Sequence, residues 1–232
     1  MEWPRDAREL VAEQGRLAEV DAGLWAPPPG PWAAGGCFVC SGRGKEGAGE
    51  RGDPEWAAAA LVEPDGRVVT AVVAGQAAAP YEAGLLALRE GPLLEAAVRA
   101  LPRAPAVLLV DATGRDHPRR AGLALHLGAR LGVPTVGVTH RPLLAEGQWP
   151  AARRGERSPL RLEGELVGYW VVTRDGARPL AVHAAWRTDP QVAARAVLAA
   201  GDGRARTPQP LRHARRVARL ARVLAEGRVS PV

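Results

Sequence analysis

Apolar and polar positions along the chain follow two alternating periods, and the switches between them mark the elements. Residues 5–21 place Leu10, Gln14, Leu17 and Val20 on one side of a helix. The proline-rich run at 26–31 is a stiff, extended connector. Ala33 to Ser41 is short, apolar and glycine-bearing, which predicts a strand. Residues 42–54 are rich in glycine and charge and predict a loop. Trp56 to Val62 and Val68 to Val73 flank a turn at Pro64-Asp65-Gly66, so the first three strands form an antiparallel meander. After a loop from Gly75 to Arg89, the run Glu90-Gly91-Pro92 opens a helix through about Arg99, with Leu93, Leu94 and Val98 inward.

The pattern is most regular over residues 105–140. Val107 to Val110 is an uninterrupted apolar run, expected of a strand covered on both faces. It stops at Asp111, and Thr113-Gly114 forms a turn. The run His117-Pro118-Arg119-Arg120 predicts a helix start, and Leu123, Leu127 and Leu131 recur at helical spacing. Val133 to Val138 is the next strand. This β-α-β unit puts a carboxylate at the carboxyl end of its first strand, where open α/β sheets place ligands. Beyond it, residues 144–164 read as a polar loop, Leu166 to Val172 and Pro179 to His183 as a hairpin, and Asp189-Pro190 as the cap of a helix to Ala200. A linker at 204–210 leads to a basic helix from Leu211 to Leu224. Its Arg212, Arg215, Arg216, Arg219 and Arg222 lie opposite Leu211, Val217, Leu220 and Leu224. That face either tracks phosphates or is simply solvated.

Composition sharpens this picture in two places. The chain of 232 residues has a net charge of +6, carried almost wholly by arginine, since Lys45 is the one lysine. Guanidinium forks suit phosphate, so a nucleic-acid partner fits. No apolar run approaches the length of a membrane span. Two cysteines and no leader-like segment point to a reducing, cytoplasmic setting. Cys37 and Cys40 have C-x-x-C spacing, but on a strand they face opposite ways, which opposes joint chemistry. His126 sits between leucines and reads as a core histidine.

The element order, a three-strand antiparallel meander followed by parallel strands with helices, is that of an α/β ribonuclease H-like fold with a mixed central sheet flanked by helices. Three blocks make the reading more specific. Residues 80–92, PYEAGLLALREGP, resemble the "PYxxGxLxFREGP" segment of the endonuclease V family. Residues 107–128 resemble its "LLVDGxGxxHPRxxGxAxHLG", and 132–138 its "LPTIGV", at fitting spacing. The resemblance implies an endonuclease V-like domain over 1–203, with 204–232 a basic linker and helix packed on it or extending from it. It implies metal-dependent nicking of DNA or RNA on the 3′ side of an inosine. Magnesium or manganese would be the cofactor and a deaminated strand the partner, with a monomer as the expected state. By the same match Glu90 and Asp111 are the catalytic and metal-binding acids and Tyr81 the strand-separating wedge. Gly84, Leu86 and Gly122 are parts of a pocket for the flipped base, with His117 beside it. Read without the family, Glu90 is a first-turn helix acid, Asp111 a loop or cap acid, and Tyr81 plain packing.

Two positions depart from the family pattern. Its first strand carries an acid in "VAGVDVxY", and Phe38 stands there in this chain. Its later "VSxGHRxS" segment carries a histidine, and Trp186 stands there, with His183 three residues away. His140 replaces a family lysine and would contact nucleic acid, and Ala112 replaces a glycine. Losing a carboxylate weakens a site held mainly by charge, and Glu90 and Asp111 without an ion would repel and raise one pKa. Two functions therefore stand side by side. One is a metal-dependent endonuclease acting on inosine-containing strands. The other is a catalytically silent homologue that binds nucleic acid or a protein. Glu46, Glu50 or His183 near Asp111 would favour the first, whereas Phe38 and Trp186 plugging the cleft would favour the second.

Overall fold

A computed structural model describes residues 2–43 and 49–227. One eight-stranded sheet divides them into two helical layers. The strands are β1 (Ala34–Ser41), β2 (Pro54–Val62), β3 (Val68–Gln76), β4 (Val107–Val110), β5 (Thr135–Thr139), β6 (Arg157–Leu162), β7 (Glu165–Val171) and β8 (Leu180–Ala184). The helices are α1 (Ala7–Glu19), α2 (Leu86–Arg99), α3 (Leu123–Leu131), α4 (Pro190–Ala199) and α5 (Gln209–Ala225). Sheet order is β3-β2-β1-β4-β5-β8-β7-β6, with β1, β4 and β5 parallel at the centre and antiparallel pairs on either side.

Alternation along the strands assigns the layers. Cys37, Leu108 and Val110 pack with Leu10, Leu94, Val98 and Leu127 beneath α1, α2 and α3. Val107, Leu109, Val136 and Val182 pack with Val197 and Leu211 beneath α4 and the start of α5. Further along α5, Ala218 and Val217 meet Phe38, Cys40 and Ala58. Cys37 and Cys40 thus lie in opposite layers, both as free thiols. His126 is fully buried, stacked on Trp3 at 4.7 Å, as its place between leucines predicts.

Four elements differ from the sequence reading. Helix α2 starts four residues before Glu90 and holds Pro92 in its interior. The buried repeat Ala87, Leu94, Val98 runs back through the proline and outweighs its cost, about 3 kcal/mol for an interior position. Glu90 is therefore a mid-helix acid. Helix α3 starts at Leu123, after Gly122, not at His117. Residues 115–120 are held out of the helix by tertiary bonds: Asp116 accepts from the amides of Leu143, Leu144 and Ala145 at 2.6–2.9 Å. The polar stretch 144–164 contains edge strand β6, where Leu160 is buried and Pro159 is tolerated because an edge leaves donors unpaired. Helix α5 buries Leu211, Ala214, Ala218 and Arg222, and leaves Leu220 and Leu224 exposed. Small residues win that face because α5 lies close on β1: a Cβ on Gly36 would stand 2.4 Å from the Pro210 backbone. Arg222 is accommodated by donating to the Ser41 carbonyl at 3.2 Å.

Candidate functional site

The parallel strands set the geometry. Cys37 pairs with Val110, so the next residues, Phe38 and Asp111, are neighbours where β1 and β4 run together. Asp111 lies at the carboxyl end of β4 and opens on two different surroundings.

On one side is a cavity of about 200 Å³. Tyr81, Gly84, Leu86, His117 and Leu123 line it together with Asp111. Its floor is fixed by one carbonyl. Gly84, at φ +80°, turns its C=O toward three donors: His117 Nε2 at 2.9 Å, Arg119 Nη2 at 2.9 Å and Gln14 Nε2 at 3.2 Å. His117 Nδ1 accepts from the Arg119 amide at 3.2 Å, which leaves the proton on Nε2. Burial pushes the His117 pKa down to about 4, so the ring is neutral. Tyr81 stands 48% exposed at the rim. Apart from the carboxylates of Asp111 and Glu82, the cavity is lined by apolar surface and neutral donors and acceptors, which suits a planar heterocycle. Gly122 does not line it; it caps α3, and a Cβ there would meet the Thr113 carbonyl at 2.5 Å.

The other side is ionic. Asp111 gives both oxygens to Arg215 of α5, at 2.8 Å to Nη2 and 3.3 Å to Nε. The Arg215 guanidinium also reaches His140 Nε2 at 3.2 Å and lies 5.5 Å from the centre of the Phe38 ring. His140 lies on this side and not in the cavity. Burial, then Arg206 and Arg215, lower its pKa. Glu90 makes no hydrogen bond or ion pair among the described residues. Burial first, then Glu55 and Asp111, raise its pKa to about 8 against the pull of Arg89. The neighbouring Arg89 is itself committed, to Glu55 at 2.9 Å and Asp53 at 3.4 Å.

This donor set does not fit a divalent ion. Hard cations need several oxygen ligands around one point. Among the described residues no three His, Cys, Asp or Glu side chains are placed to share an ion. Asp111 is occupied by a guanidinium, Phe38 offers no donor, and Glu90 is left alone. The alternatives do not fill the gap. His183 is buried against Asp116 at 3.6 Å and Thr139 at 3.0 Å. Glu50 is exposed and joins no such group, its backbone carbonyl accepting from Arg89 at 3.0 Å. Glu46 lies outside the described residues. Trp186 does not plug the cavity; its Cβ faces Gly128 and Thr135 behind α3.

Three contributors went unassigned in the sequence. Gln14 showed as a polar residue on an otherwise apolar helix face, and Arg89 sat inside the resembling segment. Arg215 was one of five arginines on a basic helix, with nothing local to distinguish it.

Comparison with known proteins bears on this geometry. Residues 46–216 match the family model described as Endonuclease V. Endonuclease V of Nocardia farcinica is 41% identical over 170 residues, covering 72% of each chain. The crystal structure of endonuclease V from Streptomyces avermitilis superimposes with a TM-score of 0.84 at 34% identity, over 98% of this chain and 96% of that one. Ciona intestinalis endonuclease V, in complex with DNA containing an inosine, shares the fold with a TM-score of 0.74 at 18% identity, over 94% and 97% of the two chains.

Proposed function

Because the chain belongs to the endonuclease V family, we propose that it recognises deaminated, inosine-containing strands by taking the altered base into the cavity beside Asp111. The observation that carries this reading is the cavity itself, where Tyr81, Gly84, Leu86 and His117 converge from separate segments. Extruding a base costs a few kcal/mol of stacking, which Tyr81 at the rim offsets by filling the gap it leaves. A neutral His117 and the carbonyl and amide groups around Gly84 hold the pocket's shape. In this reading the pocket selects by shape and hydrogen bonding, not by charge. DNA and RNA both present the same base edge, so either strand serves.

The family activity is nicking on the 3′ side of the lesion with magnesium or manganese, with Glu90 and Asp111 as its acids. In this chain the Asp111–Arg215 pair favours the silent reading of the chemistry, in which recognition persists without cleavage. We take the protein to act as a monomer, and two free, buried thiols suit a reducing cytoplasm.

The deciding experiment incubates end-labelled inosine and adenosine strands, single and duplex, with the protein in magnesium or manganese. Asp111→Ala and Phe38→Asp are run alongside. Selective retention of the inosine strand with no product supports recognition without cleavage. Nicking that disappears in Asp111→Ala restores the family chemistry. Equal affinity for inosine and adenosine strands sinks the recognition reading.

A further inference from the structure

Next to the cavity, α5 and the segment before it form an open groove lined by Arg206, Thr207, Arg212, Arg215, Arg216 and Arg219. Five guanidiniums here meet two carboxylates, Asp111 on Arg215 and Asp202 on Arg212. Arg216 and Arg219 are exposed and make no ion pair among the described residues, and the Arg219 guanidinium lies over the Phe38 ring, 5.5 Å from its centre. Arg206 donates to the Pro179 carbonyl at 2.6 Å, but its Nε is buried without a partner. The crowding has an electrostatic signature: burial, then Arg178 and Arg215, lower the Arg206 pKa. Like charges held this close cost free energy unless an anion completes them.

Phe38 links this groove to the strand-end acids. A carboxylate at that position would add to the negative charge beside Asp111. The phenyl ring instead lies within 5.5 Å of two guanidiniums, whose charge its π-face attracts. Arg215 then sits on Asp111 with a fixed positive charge.

We propose that this groove is a metal-independent phosphate site: the α5 arginines take the backbone of a nucleic-acid strand, and Arg215 supplies beside Asp111 the positive charge that a divalent ion would otherwise bring. The proposal rests on reading the chain as a strand-binding protein, but not on which base it selects. Phosphate contacts position a strand without reading its sequence. The groove therefore supplies affinity and the cavity supplies preference.

The test is fluorescence anisotropy of labelled inosine and adenosine single strands in EDTA, across a salt series, with wild type, Arg216→Ala/Arg219→Ala and Arg216→Lys/Arg219→Lys. Both arginines are exposed, so the folded state is retained, and circular dichroism checks it. We expect binding in EDTA that added magnesium does not strengthen. The alanine pair should lose about tenfold in affinity for both strands and about two units of the log–log salt slope, and the lysine pair should recover the slope. Binding that requires magnesium, or an unchanged slope in the alanine pair, overturns the proposal. Should wild type bind both strands equally with the arginine-dependent slope intact, base recognition fails and the groove stands. Should the alanine pair keep its affinity and inosine preference, the groove fails and the cavity stands.

Discussion

Asp111 borders two regions built on opposite principles. The cavity around Gly84 is mostly uncharged: apart from Asp111 and Glu82 it presents a neutral histidine, a glutamine and a turned carbonyl, with Arg119 spent on fixing the loop. The groove along α5 is nearly all formal charge, with little to neutralise it. Selecting a base requires shape and hydrogen bonds that water cannot easily replace, which a neutral, enclosed wall supplies. Holding a backbone requires charge that tolerates sliding, which an open row of guanidiniums supplies. Dividing the labour this way makes the two regions separable by pH, by salt and by mutation.

Acid should have the largest effect, through three buried histidines of which His117 lines the cavity. His117, His126 and His183 are buried, and burial lowers each to about 4. Their folded pKa values lie below the unfolded value of about 6.5, so the unfolded chain binds more protons between these limits and stability falls as pH drops from about 6.5 to 4. Each contributes a slope of up to about 1.4 kcal/mol per pH unit. Urea unfolding at intervals across this range checks it, and a flat profile would mean the histidines are not buried as described. His117→Gln should flatten part of the slope and loosen the Gly84 loop.

Next in size is the ion pair. Asp111→Ala leaves Arg215 without its carboxylate in a largely enclosed position, and should cost about 2–3 kcal/mol in urea unfolding. The same change frees a cation and should tighten strand binding in EDTA while steepening its salt dependence. Weaker binding instead would show that Asp111 contacts the strand directly, and would blur the contrast between the two regions.

Alkali addresses Glu90. Its folded pKa of about 8 lies above the ordinary carboxylate value, so the folded state holds the extra proton and stability falls as pH rises from about 4.5 to 8. Below about 6.5 the three histidines outweigh this single group, which places the stability maximum near neutrality. Glu90→Gln should remove the loss between about pH 6.5 and 8, a window the histidines do not reach, with at most about 1.4 kcal/mol per pH unit at stake. Phe38→Asp combined with Arg215→Ala should return three acids to one place, and manganese titration followed by electron paramagnetic resonance should then detect bound ion where wild type has none. The smallest change is expected for Tyr81→Ala: a loss of about 1 kcal/mol in inosine preference, at the lower end of a stacked base, with the salt slope untouched.

Seven of the eight strands, most of the helices and the resemblance that names the family were legible in the sequence. Those signals are local: Val107 to Val110 is apolar on both faces, Pro64-Asp65-Gly66 turns, and the three motif blocks stand at fixed spacing. It also exposed Phe38 and Trp186 as departures. What tertiary structure decided are the relations between distant segments. Pro92 is tolerated because Ala87, Leu94 and Val98 bury one continuous face, and residues 115–120 are unwound because Asp116 is needed by amides nearly thirty positions away. Trp186, beside His183 in the chain, went behind α3, which spacing cannot foresee. Above all, the ion pair between Asp111 and Arg215 spans 104 positions. It exists because Gly36 lets α5 lie close against β1, bringing one arginine of five within reach of the strand-end acid. Periodicity fixes which face of an element is buried, whereas the partner of a charge on that face is set by packing between elements.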